Sequence, residues 1–237
     1  MHPTDKAARI AGFWYLLLIL VGPLRLIYIP NKLFVDGSAA TVNNIAAYEW
    51  LFRFGMVSEL VGAIVLILLT LAFYRLFESV DRNLAVQVVI FGGVMPAVIY
   101  FVNVVTDAAA LMIVRGADFL SVFDKPQRDA LVMLLLRLHD HQFTATLVLA
   151  GAWLFPLAML VYKSRFLPRF LGVWLFIGGC AWLLMGFTGF LAPQYQDKEF
   201  TYFQPAFFGE IALMLWLLIR GAKVQSLVAP HEGQSPA

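Results

Sequence analysis

Six stretches of this chain each run for roughly 20 residues or more with few charges, long enough to cross the hydrocarbon core of a bilayer. In hydrocarbon every backbone N–H and C=O needs a partner within the protein, so such stretches fold as helices unless they close into a barrel. Their length and near-continuous apolar character fit helices and not ten-residue alternating strands. The composition agrees: mean hydropathy is +0.80 and charged residues make up 14%, against about 25% in an ordinary soluble domain. The expected fold class is therefore all-α, a polytopic membrane protein built as a bundle of six transmembrane helices.

The spans read as 8–29, 45–77, 84–114, 127–162, 169–191 and 202–220. Lys6 and Arg9 ahead of the first run imitate a signal peptide, but Gly22, Pro23 and Arg25 close that run without a small-x-small cleavage pattern, so it is kept as a span. The segment 30–44 carries Pro, Asn, Asp, Gly and Ser and reads as a loop, 78–83 as a tight hairpin and 192–201 as a polar loop. A kink is expected at Gly92, Gly93 and Pro96. Between Arg115 and Asp129 a short interfacial helix fits 117–123. Residues 1–224 form one transmembrane domain, and 225–237, rich in Pro, Gly, Ser and Gln, form a disordered tail.

Six spans bring both termini to one side. Lys6, Arg9, Arg75, Arg82, Lys163, Arg165, Arg169, Arg220 and Lys223 share that side, against Lys32, Arg115, Lys125, Arg128 and Lys198 opposite. Basic residues accumulate in cytoplasmic loops, so nine against five places both termini in the cytoplasm. The basic residues are scattered between apolar runs and make no stripe, which argues against a nucleic-acid partner. Cys180 stands alone, so neither an intrachain disulfide nor a cysteine-based zinc site is available.

Functional residues are sought where polarity intrudes on hydrocarbon. The stretch 135–146, LLRLHDHQFTAT, packs Arg137, His139, Asp140, His141 and Gln142 into an apolar helical run. Counted from the outer ends, Arg25, Arg53, Glu59, Asn103, Asp107, Arg137, His139, Asp140, His141 and Glu210 all fall in the outer half or at its interface. A charge at mid-membrane costs about 2.5 to 3.5 kcal/mol on insertion scales, so these groups pair with one another or line a wet cavity.

Helical spacing sorts them. Tyr100, Asn103 and Asp107 form one stripe, Glu49 and Arg53 an i, i+4 pair, and His139, Gln142 and Thr146 another stripe. His139 and His141 lie about 200° apart around an unbroken helix and cannot both ligate one metal. A metal, if bound, would take His139 or His141 together with Glu59, Asp107 or Glu210. Against these readings stand plainer ones: buried ion pairs that fix helix register, and interfacial histidines bonded to carbonyls or water.

Arg9-Ile-Ala-Gly12-Phe-Trp14 and Arg169-Phe-Leu-Gly172-Val-Trp174 echo one another, and each following helix carries an acid, Glu59 and Glu210. A duplication would set both acids at one depth, facing a shared outer pocket with Arg53.

ARIAGFWYLLLILVG at the start, LFRFG at 51–55, RLHDHQF around His139, FLPRFLGVWL and GEIALMLWLLIRG together resemble the bacterial family of domain of unknown function 4386, over about 7–221. The resemblance implies a six-helix inner-membrane protein and no particular activity. PLRLIYIPNK in the first outer loop departs from the family pattern.

Three functions compete. The first is a small-molecule or lipid binding or transport protein whose outer pocket uses Arg53, Glu59, Asn103, Asp107, Arg137, His139, His141 and Glu210; six helices would then favour a homodimer. The second is an intramembrane hydrolase of lipid-like substrates, metal-dependent or not, with His139, Asp140 and Asp107 as catalytic groups; neither HExxH nor GxSxG is present. The third is a structural or signalling protein. No cofactor motif is visible, and the bilayer is the one partner the composition demands.

Overall fold

The computed structural model describes residues 3–23, 27–35 and 37–222. Arg25, Asp36, Lys223 and the tail expected to be disordered lie outside these residues, as do the side chains of Pro3, Pro23, Gln196 and Asp197. The fold is all-helical, 89% helix, with no strand among the described residues.

In chain order the helices are α1 (Pro3–Pro23), α2 (Ile29–Leu33), α3 (Ser38–Ala47), α4 (Glu49–Phe77), α5 (Arg82–Val89), α6 (Met95–Arg115), α7 (Lys125–Lys163), α8 (Arg169–Leu191) and α9 (Gln196–Ile219). A π-helical turn, Ile90–Val94, joins α5 to α6. Five stretches are long and apolar enough to cross a membrane: Glu49–Phe77, Arg82–Arg115, Lys125–Lys163, Arg169–Leu191 and Lys198–Ile219. The sixth expected span, α1, is 21 residues long, places Asp5, Lys6 and Arg9 in its first two turns, and is not among the five. It nevertheless lies within the bundle: Ala8, Ala11 and Tyr15 are buried in the apolar core shared with α4, α7, α8 and α9.

The surface shows why water is not the solvent around this bundle. Leu20, Val61, Ile64, Val98, Val105, Leu134, Ile177 and Leu184 are all exposed along the helices. A soluble monomer seldom leaves so much contiguous apolar surface uncovered, and hydrocarbon accepts it without cost.

Several local expectations meet different outcomes. The kink near Gly92 and Gly93 is the π-helical turn: a Cβ on Gly93 would sit against the Thr70 side chain and one on Gly92 against the Trp153 ring, so the missing side chains let this turn press against α4 and α7. The loop expected at 30–44 is largely helical. Thr41, Val42 and Ile45 bury one face of α3, and Gly37, at φ 98°, makes the turn that starts it. That supply of buried apolar contacts overrides the loop-like composition. The polar loop 192–201 is likewise taken up by a short 3₁₀ turn and the start of α9, and between α6 and α7 only Asp118–Leu120 is helical, a single 3₁₀ turn.

Helix α7 is unbroken for 39 residues and begins with Asp124 and Gln127 in a reciprocal capping box, with Pro126 in its first turn. It lies closest to α8: a Cβ on Gly151 would meet the Gly179 carbonyl at 2.7 Å, and one on Gly186 the Val148 amide at 2.9 Å. Small residues let the two backbones approach where no hydrophobic force draws helices together.

Two apolar cores divide the bundle. One, towards the end that carries Phe77, Lys163 and Arg169, packs Tyr15, Phe73, Phe77, Leu154, Leu157, Leu171 and Leu213. The other, towards Glu49, Arg115 and Lys125, packs Leu33, Ile45, Leu51, Phe52, Leu111, Val132 and Leu136. On α4, α6 and α7, Ser58, Glu59, Asn103, Thr106, Asp107, Thr144 and Thr146 fall between them.

Candidate functional site

That intervening layer is built from three helices. Helix α4 supplies Glu59, 2% exposed; α6 supplies Asn103, fully buried, and Asp107, 8% exposed; α7 supplies His139, half-buried. Each faces inward for a reason legible in helix geometry. Asn103 and Asp107 are one turn apart on α6, and Tyr100, one turn further, lays its ring against Gly62 of α4, itself one turn from Glu59. A Cβ at position 62 would rest against that ring at 3.6 Å, in ordinary van der Waals contact.

Asn103 Nδ2 donates to Glu59 Oε1 at 2.9 Å. His139 Nδ1 lies 2.9 Å from Asp107 Oδ1. Glu59, Asp107 and His139 each bring one ligand atom to within 4.8 Å of the others. Two buried oxygens in the same region have no hydrogen-bond partner among the described residues: Asn103 Oδ1 and, one turn along α7 from His139, Gln142 Oε1. An unsatisfied buried acceptor costs about 1–3 kcal/mol, so a donor or a cation beside these oxygens would lower the energy of the layer.

Ligand distances of about 2.0–2.2 Å require neighbouring donor atoms about 3.4 Å apart in a tetrahedral site. The three ligand atoms, within 4.8 Å of one another, would have to draw together to reach that spacing.

The remaining sequence candidates are dispersed. Arg53 Nε binds Glu49 Oε1 at 2.6 Å, and the pair is joined by Arg115, whose Nη2 is 3.1 Å from the same oxygen. Arg137, Asp140 and His141 are exposed on α7. His141 stacks on Phe190 of α8, ring centroids 6.2 Å apart, so the two histidines diverge as the spacing requires.

Glu210 belongs to a second, separate group. Its two oxygens accept Tyr15 Oη–H at 2.5 Å and Trp182 Nε1–H at 2.8 Å. No described contact joins Glu59, Glu210 and Arg53 in the expected shared pocket: Glu59 accepts from Asn103 of α6, Arg53 pairs with Glu49, and Glu210 is held by α1 and α8. Sequence reading overlooked both Tyr15 and Trp182, because aromatic residues inside a span carry no mark of polar use. It also overlooked Glu49 as the acid shared by two arginines, since Arg115 lies 66 residues away.

Residues 10–221 match the protein family described as "Domain of unknown function (DUF4386)". An uncharacterized protein from Archaeoglobus fulgidus is 33% identical over 79 residues, which cover 33% of this chain and 46% of the relative. The chain thus spans about half the length of that curated relative. No solved structure matches the chain.

Proposed function

This chain belongs to the DUF4386 family, and we propose that it is a multi-pass protein of the cytoplasmic membrane that binds a divalent metal ion at Glu59, Asp107 and His139. The observation that carries this reading is the convergence of two buried carboxylates and one imidazole from three helices within 4.8 Å, beside the unsatisfied oxygen of Asn103. One nitrogen and several oxygen donors suit zinc, manganese or iron better than a thiolate-loving metal.

We place six spans in the membrane, α1 included, with both termini cytoplasmic. The support is the excess of lysine and arginine at the end bearing Arg82, Lys163 and Arg169. In that orientation the metal-binding layer lies in the outer half, since Glu59 is 10 residues into α4, Asp107 is 8 residues from the end of α6 and His139 is 14 residues into α7. A reporter fused at the C-terminus should fluoresce inside the cell, and alkaline phosphatase fused near Asp197 should be active. The reverse pattern would overturn the orientation.

A second reading draws on the number of ligands. Three protein ligands leave one position of a tetrahedral metal open, which is the arrangement of catalytic rather than structural zinc sites and allows a bound water to be activated. Hydrolysis of a lipid-like substrate is the reaction class this favours.

Elemental analysis of protein purified in neutral detergent tests the metal. Close to one divalent ion per chain is expected, with its loss in both His139→Ala and Asp107→Asn. A wild-type protein that holds none and takes up neither zinc nor manganese on reconstitution would overturn the proposal. Chelator-sensitive cleavage of ester or phosphoester lipid analogues would then separate the hydrolase from a binding or transport role.

A further inference from the structure

At the opposite face of the second apolar core lies a cavity of about 330 Å³, between α3, the end of α6 and the start of α7. Its polar lining comprises Asn43, Arg115, Lys125, Arg128 and Asp129. The charges do not balance. Lys125 Nζ binds Asp129 Oδ2 at 2.7 Å. Arg115 must share Glu49 with Arg53. The Arg128 side chain makes no hydrogen bond or ion pair among the described residues. Asp124, one turn before Arg128 on α7, is engaged in capping that helix through the Gln127 amide at 2.9 Å. In this corner, then, four cations meet three carboxylates, Glu49, Asp129 and Asp124, each already hydrogen-bonded elsewhere.

The backbone makes room for the free guanidinium. Helix α6 ends at Gly116 in the left-handed region, φ 71°, and a Cβ built there would lie 3.6 Å from Arg128 Nη1. The turn that only glycine adopts without strain therefore sits directly against Arg128. Arg128 is half-buried. A half-buried guanidinium beside a polar cavity, with five N–H donors in a fixed fork and no carboxylate paired with it, is matched by an oxyanion that accepts two of them at once.

We propose that this cavity binds a phosphate-type oxyanion, held chiefly by Arg128 with Lys125 and Arg115 beside it. The shared chemistry is a tetrahedral, singly or doubly charged phosphate, whether inorganic phosphate or the headgroup of an anionic phospholipid. The site sits at the end of the membrane-spanning helices, where headgroups lie. It shares no residue with the Glu59, Asp107 and His139 group, so the two proposals stand or fall separately.

The experiment compares wild type with Arg128→Gln and Arg128→Lys in neutral detergent and in vesicles. In the first arm inorganic phosphate is titrated against chloride at equal ionic strength, and the thermal midpoint is followed. In the second, phosphatidylglycerol and phosphatidylcholine are offered in mixed vesicles, and the lipid retained after extraction is counted by native mass spectrometry. A saturable response to phosphate, or selective retention of phosphatidylglycerol, is expected in wild type, at least tenfold weaker in Arg128→Gln and intermediate in Arg128→Lys. The arm that responds identifies the source of the phosphate. Neither response in wild type, or an equal response in Arg128→Gln whose helicity and midpoint are unchanged, would overturn the proposal.

Discussion

His139 Nδ1 meets Asp107 Oδ1 at 2.9 Å across the interface of α6 and α7, between an apolar core on either side. Asp107 is 8% exposed, whereas the His139 ring keeps some access. The acid is therefore the member that depends on its partner, since a buried carboxylate without a donor or cation pays its desolvation in full.

From that asymmetry follows a graded mutational response. Asp107→Asn keeps an acceptor for the imidazole and is expected to be mild. His139→Ala leaves the carboxylate without its donor and is expected to cost about 1–3 kcal/mol. The double variant His139→Ala with Asp107→Ala should be less destabilised than the sum of the two single alanine variants. Unfolding in mixed detergent micelles, followed by helicity, measures all of them.

A pH response comes from the other end of the bundle, outside the spans. Lys163 Nζ binds Asp81 Oδ2 at 2.9 Å, and Asp81 also caps α5 by accepting from the Leu84 amide. The hydrogen bond from Lys163, followed by that from Leu84, holds the Asp81 carboxyl below its ordinary value of 3.8. A depressed folded value means the stabilisation is complete above the unfolded value and disappears as pH falls through the folded one. Wild type should therefore lose stability below about pH 4, with a slope that Asp81→Asn flattens and that salt weakens. An identical acid limb in the variant would contradict the assignment.

How much of this was legible in the sequence depends on how far apart the partners lie. The long apolar runs of α4 and α6 to α9 are intrinsic to their segments, as are the break near Gly92 and the divergence of His139 from His141, and each was readable from length or spacing alone. The stripe Tyr100, Asn103, Asp107 was readable too, as one face of one helix. Its pairing with Glu59 and His139 was not, because spacing within a helix says nothing about which neighbour it faces. The matched acids Glu59 and Glu210 illustrate the limit: similar placement in two hairpins gave no information about Tyr15 or Trp182, which capture Glu210 from α1 and α8. Helix α3 failed for a different reason, since its turn-forming residues are overruled by the burial of Thr41, Val42 and Ile45.

The seam of α7 and α8 gives a prediction about packing. A Cβ at Gly151 would meet backbone atoms of α8, the Gly179 carbonyl at 2.7 Å and the Leu183 amide at 2.8 Å, which cannot swing aside as a side chain would. Gly151→Ala is expected to cost about 1–3 kcal/mol by forcing the helices apart. Gly22, with nothing within 4 Å of the same construction, should accept alanine without loss. Comparison of the two variants by thermal unfolding checks the contrast, and equal midpoints would remove the close-packing account.

The last prediction concerns the half-buried carboxyl of Glu210. Glu210 receives one donor on each oxygen, Tyr15 Oη–H from α1 at 2.5 Å and Trp182 Nε1–H from α8 at 2.8 Å. The group thus ties three helices at one point, and Tyr15 is itself enclosed by Phe73 and Trp153, at centroid distances of 5.8 and 6.0 Å. Tyr15→Phe preserves that aromatic packing and deletes only the donor, so its cost isolates the hydrogen bond, about 1–3 kcal/mol for a carboxyl oxygen left without its partner. Glu210→Gln places an amide N–H against one of two donors and should be as harmful as Tyr15→Phe. Combined with Tyr15→Phe, Glu210→Gln can turn its amide towards the vacated position and keep its carbonyl for Trp182. The double variant should therefore be more stable than the sum of the single losses predicts, by a coupling of about 0.5–3 kcal/mol. Strictly additive losses would show that Tyr15 and Glu210 act independently, and that α1 is held to the bundle by its apolar face alone.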